Sequence, residues 1–129
     1  MHLHHLALIV SDYPRSRDFY TRVLGLPVLA EHYREARQSW KLDLALGSPP
    51  NGVQLEVFSF PNPPPRPTRP EACGLRHLAL ATPDLDAEIA RLGSLGVSCE
   101  PVRVDEYTGR RFTFFADPDG LPIELYETR

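Results

Sequence analysis

The stretch Leu75-Arg76-His77-Leu78-Ala79-Leu80 decides how this chain is read, because it has a twin in His4-His5-Leu6-Ala7-Leu8. In each copy a histidine opens a short apolar run, and His5 and His77 stand 72 residues apart. An aspartate follows each of them by seven residues, Asp12 and Asp84, at the head of a helical pattern that stops at Leu24-Gly25 and at Leu95-Gly96. A second echo closes each half, Gln54-Leu55-Glu56-Val57-Phe58 and Pro122-Ile123-Glu124-Leu125-Tyr126. The chain is one unit written twice, with a histidine near the start and a glutamate near the end of each. That arrangement points to a shared site of two histidines and two glutamates.

Working outward, side chains alternate faces along a strand. His5, Ala7 and Ile9 therefore share one face of the first strand, and Leu6, Leu8 and Val10 the other. Asp12 is a predicted helix N-cap with Pro14 in the first turn. Phe19, Tyr20, Val23 and Leu24 form the apolar stripe of that helix, and Gly25 suits its end. Strands are predicted over 28–33, 40–46 and 53–60, the last two as a hairpin around Gly47-Ser48-Pro49-Pro50-Asn51-Gly52, with the polar 33–39 segment as a loop. The stretch 61–70 holds six prolines and reads as an extended polyproline linker, spanning at most ~30 Å. The second half repeats the order: strand 76–82, helix 84–95 with Leu85, Ile89 and Leu92 inward, a segment at 99–104, and a hairpin of 110–116 with 121–126 around Asp117-Pro118-Asp119-Gly120. Each half reads βαβββ, so the expected domain covers 1–129, with module 1 about 3–60, linker 61–70 and module 2 about 75–128.

Composition sets bounds on function. A chain of 129 residues with 42% hydrophobic content is long enough for one ordinary domain with a packed core. A net charge of −3 argues against a nucleic-acid partner. The 14 basic residues are all arginine except Lys41. No apolar run reaches the roughly 18 residues of a membrane span, and Met1-His2-Leu3-His4-His5 lacks the features of a signal peptide. Cys73 and Cys99 are too few for a disulfide framework. These features read as a cytoplasmic protein with free thiols and no membrane partner.

Glutamate is almost never fully buried unpaired, yet Glu56 and Glu124 both sit among apolar residues at the same place in a repeated strand. His5 shares its face with Ala7, and His77 with Ala79 and Ala81, which leaves room beside each imidazole. Phe58 and Phe60 share the face of Glu56, and Tyr126 that of Glu124, so aromatic side chains rim a polar centre, as in a small-molecule pocket. Two neutral imidazoles and two carboxylates balance one divalent cation, and imidazole with carboxylate suits Ni, Zn, Co, Mn or Fe. His2, His4 and His32 read as surface or packing residues, and Asp12 and Asp84 as helix caps.

The paired His…Glu units, the helix ending Phe19-Tyr20-Thr21-Arg22-Val23-Leu24-Gly25, and the closing Asp117-Pro118-Asp119-Gly120-Leu121-Pro122-Ile123-Glu124-Leu125 resemble the vicinal oxygen chelate superfamily. That group includes glyoxalase I, bleomycin-resistance proteins, extradiol dioxygenases, fosfomycin-resistance enzymes and methylmalonyl-CoA epimerase. Within it, Tyr33-Arg34-Glu35-Ala36-Arg37, Ser39-Trp40-Lys41, Phe58-Ser59-Phe60-Pro61 and the run from Arg69 to His77 resemble a bacterial branch of small glyoxalase-like proteins of the YaeR type. The resemblance implies an α+β fold in which two tandem βαβββ modules form a cupped eight-stranded mixed sheet with the helices outside. It implies a homodimer and a metal held by His5, Glu56, His77 and Glu124. It also implies a lactoylglutathione lyase-like lyase or isomerase that moves a proton through a metal-bound enediolate, with Glu124 as first choice of base and Glu56 as second. Glyoxalase I carries an arginine at the place of Ile9 and a polar residue at the place of Phe60, both for the glutathione moiety, so the implied substrate is not plain glutathione hemithioacetal. Arg34, Arg37, Lys41, Arg110 and Arg111 are candidates for binding another anionic group. The alternatives are a non-catalytic drug-binding protein of the resistance type, and a metal-dependent epimerase or dioxygenase.

Overall fold

The computed structural model describes residues 1–48 and 52–129, so the tip of the first hairpin turn, Pro49-Pro50-Asn51, lies outside the described residues. The chain divides into two compact units, 1–65 and 66–129.

In the first unit the alternating apolar runs become strands. They are β1 (His5–Val10), β2 (Val28–Arg34), β3 (Ser39–Leu46) and β4 (Val53–Ser59), in the sheet order β1-β4-β3-β2. β1 runs parallel to β4, and the other neighbours are antiparallel. Parallel neighbours need a crossover connection, and helix α1 (Tyr13–Asp18) lies in it. The Asp12 carboxylate caps α1 by accepting from the Arg15 N–H at 3.0 Å. The helix then widens into a π-helical turn, Phe19–Val23, which buries Phe19, Tyr20 and Val23. Gly25 follows at φ +72°, a left-handed conformation that costs glycine nothing. Val10, Leu42, Leu44, Leu55 and Val57 are buried on one face of the sheet. Each such side chain contributes roughly 1.5–3 kcal/mol.

The second unit repeats the plan. Strand β5 (Leu78–Thr82), helix α2 (Leu85–Ser94), and strands β6 (Arg103–Val104), β7 (Arg111–Ala116) and β8 (Pro122–Glu127) give the sheet order β5-β8-β7-β6. Asp84 caps α2 through the Ala87 N–H at 2.9 Å. Leu85, Leu92, Ile123 and Thr113 are fully buried. The β7–β8 turn is held by Asp117 Oδ1, which accepts from the N–H of Asp119 at 2.9 Å and of Leu121 at 2.8 Å. The architecture is therefore α+β: two βαβββ modules, each with its own four-stranded mixed sheet. Among the described residues no helix is long and apolar enough to cross a membrane.

The proline-rich stretch spans the boundary between the two units, with residues 66–70 grouped in the second. The Arg66 guanidinium donates to the carbonyls of Leu75 and Arg76, and the Thr68 hydroxyl donates to the Gly120 carbonyl at 3.0 Å. These bonds tie the proline-rich stretch to the loop before β5 and to the β7–β8 turn.

Candidate functional site

In the first module, cross-strand register sets Ala7, Glu56 and Asp43 side by side across β1, β4 and β3. The next row is Ile9, Phe58, Lys41 and His32. These rows lie on the face opposite Leu42, Leu44, Leu55 and Val57, and His5 shares that face beside Gln54. His5 Nε2 stands 3.9 Å from Glu56 Oε2. Its other ring nitrogen, Nδ1, meets His4 Nδ1 at 2.9 Å.

Glu56 has a second partner that the sequence did not announce. Lys41 Nζ lies 3.2 Å from Glu56 Oε1 and also pairs with Asp43. Burial opposes the charge on Lys41, but hydrogen bonds to Asp43 and Glu56, together with their charges, outweigh it and hold the ammonium above the ordinary lysine range. Phe58 and Phe60 stack at 6.2 Å, with the Arg34 guanidinium 4.7 Å from the Phe58 centroid. Arg37 is exposed in the short 3₁₀ turn between β2 and β3.

In the second module the corresponding rows are Ala79, Glu124 and Phe114, then Ala81, Tyr126, Phe112 and Arg103. His77 Nε2 stands 3.1 Å from Glu124 Oε2, and the carboxylate side chain is only 13% exposed. Phe114 meets the His77 ring edge to face at 5.3 Å. Where the first module places Asp43 and Lys41, this one places Phe114 and Phe112, so one open face is charged and the other aromatic. An open cleft of about 700 Å³ lies beside His77 and Glu124. The Tyr126 hydroxyl bonds Asp105 Oδ2 at 3.2 Å and the Thr108 hydroxyl, which ties down the loop after β6.

Arg111 is not placed to bind substrate beside this pair. It pairs with Glu127 at 2.7 Å and Asp86 at 3.1 Å. Strand alternation puts it with Thr113 and Phe115 on the face opposite Phe112, Phe114 and Glu124. Lining residues not picked out from sequence are Asp43 in the first module, and Arg69, Arg76, Glu100, Arg103, Phe112 and Phe114 in the second. Alternation within 110–116 does separate Phe112 and Phe114 from Arg111. The loop residues left no such periodic signal.

The donor chemistry fits a divalent ion. Two ligands at 2.0–2.2 Å and right angles about one metal lie roughly 3.0 Å apart, and the His77–Glu124 separation of 3.1 Å matches this. The His5–Glu56 pair at 3.9 Å is wider, with Glu56 drawn toward Lys41. Among the described residues no group of three or more His, Cys, Asp or Glu side chains is assembled to hold a metal. Each module offers two donors.

A four-stranded βαβββ module, repeated with a His–Glu pair on one face, is the architecture of the vicinal oxygen chelate proteins. The chain belongs to the Glyoxalase/Bleomycin resistance protein/Dioxygenase superfamily, whose sequence pattern it matches over residues 2–125. It is 60% identical to YaeR of Escherichia coli K12 over 97% of this chain and 95% of that protein. Among solved structures it is similar to a glyoxalase family protein from Enterococcus faecalis, with a TM-score of 0.88 and 46% identity over 97% of this chain and 96% of that one. It is also similar to TnmS3, an antibiotic binding protein from Streptomyces sp. CB03234, with a TM-score of 0.74 and 26% identity over 100% of this chain and 97% of that one.

Proposed function

We propose that the chain is a metal-dependent enzyme of the glyoxalase I type, which shifts a proton on a small substrate bearing adjacent oxygens. The observation that supports this is the repeated pair, imidazole Nε2 toward carboxylate, on the open face of both modules. His5, Glu56, His77 and Glu124 are the proposed ligands of a divalent ion (Ni, Zn, Co, Mn or Fe). When bound, the ion supplies Lewis-acid stabilisation of charge on the substrate oxygens. Glu124 is the proposed base. It takes a proton from a carbon next to a carbonyl and returns it to the neighbouring carbon. Glu56 is second choice because Lys41 already holds it. Ile9, exposed, and Phe60, stacked on Phe58, offer no polar anchor for a glutathione moiety. Turnover of glutathione hemithioacetal is therefore weak or absent in this reading. The proposal takes the protein to be cytoplasmic, as its composition reads, and a homodimer, as the resemblance implies.

The test is deuterium exchange at carbon next to a carbonyl, run on metal-loaded protein over 2-hydroxy ketones, thiohemiacetals and acyl thioesters. Wild type should exchange with at least one class. Glu124→Gln should keep part of the metal and lose exchange by about 100-fold or more, as for removal of a general base. Exchange surviving in Glu124→Gln would remove Glu124 from the role. The second reading is a non-catalytic small-molecule binding protein. It is favoured by the Lys41–Glu56 ion pair, which occupies a carboxylate the enzyme reading needs, and by the similarity to an antibiotic binding protein. Ligand binding without exchange in any class would select it.

A further inference from the structure

Three arginines line the cleft beside His77 and Glu124: Arg69, Arg76 and Arg103. Two of them are answered by carboxylates. Arg76 Nε lies 2.9 Å from Glu71 Oε1, and Arg103 Nη2 lies 2.9 Å from Glu100 Oε2. Arg103 is further fixed over Phe112 and Phe114, 5.2 Å from each centroid. Among the described residues Arg69 has no carboxylate partner, so it brings an unneutralised positive charge to the cleft.

An exposed arginine on a loose loop is ordinarily just solvated. Arg69 differs because the residues just before it are anchored through their side chains. Thr68 is bonded to the Gly120 carbonyl at 3.0 Å, and Arg66 clamps the carbonyls of Leu75 and Arg76. The same loop leads to His77, so one segment carries both Arg69 and the histidine of the His77–Glu124 pair. Arginine presents a planar fork that suits carboxylate and phosphate oxygens.

We propose that Arg69 binds a terminal oxyanion of the substrate, a carboxylate or phosphate, and so selects small anionic hydroxycarbonyl compounds over neutral ones. The assignment of the reacting end rests on the function proposed above; the anion subsite rests on the cleft and its unpaired guanidinium.

The test compares three probes that share adjacent oxygens: dihydroxyacetone, its phosphate, and hydroxypyruvate. Affinity is measured by calorimetry on the metal-loaded full chain at low ionic strength, for wild type, Arg69→Ala and Arg69→Lys. Wild type should bind at least one anionic probe about tenfold tighter than dihydroxyacetone, a modest factor because Arg69 is exposed and screened. That ratio should close to near one in Arg69→Ala and recover in part in Arg69→Lys, while matched melting temperatures show that all three fold. Which anionic probe carries the ratio separates a carboxylate from a phosphate source. Equal binding of neutral and anionic probes by wild type, or a ratio unchanged in Arg69→Ala, would overturn the proposal. Glu124→Gln keeps the two readings distinguishable. An intact anion ratio without exchange in wild type leaves this subsite standing and defeats only the catalytic reading; exchange lost in Glu124→Gln with no anion ratio does the reverse.

Discussion

At the scale of single residues, the proposed metal site would set Lys41 and a divalent ion in competition for one carboxylate. Lys41 Nζ lies 3.2 Å from Glu56 Oε1, and the Glu56 side chain is only 15% exposed, so the ammonium compensates a charge that is costly to leave alone. A metal using Glu56 must share or displace that partner. Replacing Lys41 with methionine, which keeps the apolar stem, should therefore raise metal affinity by about tenfold, the size expected for removing one poorly screened like charge. A competition titration against a chromophoric chelator reads this directly, and unchanged or weaker affinity would show that Lys41 is no competitor. That His5 stands by Glu56 and His77 by Glu124 was legible in the sequence because each pair recurs with the same strand parity in both copies. The partnership of Lys41 with Glu56 was not, because it depends on how β3 registers against β4. Arg69 was missed for a different reason, since its place beside the cleft is set by side-chain bonds to loop carbonyls.

At the scale of elements, Arg111 is the tie between a helix and two strands. It reaches Asp86 on α2 and Glu127 on β8 from its own place on β7. Hydrogen bonds from Arg111 hold the Glu127 carboxyl below the ordinary carboxylate range. A carboxylate with a depressed folded value adds stability above its unfolded pKa, and that contribution is lost as pH falls through the folded value. Taking the unfolded glutamate near ~4.3, Arg111→Met should destabilise the protein fully at pH 6, and the gap to wild type should narrow as the pH drops from about 5 to below 4. Urea melts across that range check it; a gap that is constant with pH would mean Arg111 acts by packing alone. Most elements were legible because their signals are local: the Asp12 and Asp84 caps, the stops at Gly25 and Gly96, and alternation in the strands. The π-helical turn at Phe19–Val23 was not, because Phe19, Tyr20 and Val23 fit an ordinary helical stripe equally well. The anchoring of the proline-rich stretch was not legible, because composition reports the lack of a core, whereas Arg66 and Thr68 act by reaching distant carbonyls.

At the scale of the whole molecule, the proposal that both His–Glu pairs serve one ion makes a prediction distinct from two independent sites. The answer can be read from stability. A ligand that binds only the folded state adds about 2.7 kcal/mol when present at a hundredfold excess over its Kd. For a chain of this size that raises the melting temperature by roughly 10 °C. Chelation should remove this increment at pH 8 and remove less of it at pH 5, where protonation of imidazoles and carboxylates already weakens metal binding. His5→Ala and His77→Ala then divide the possibilities. If one ion draws on both modules, each single variant loses most of the metal-dependent increment, and the double variant loses no more, because the same event has been removed twice. Two independent ions would instead give two smaller losses that add. Calorimetric melts of the four proteins, with and without chelator, decide between these patterns. An increment absent from wild type after verified loading, or untouched in both single variants, would mean that the histidines are not metal ligands.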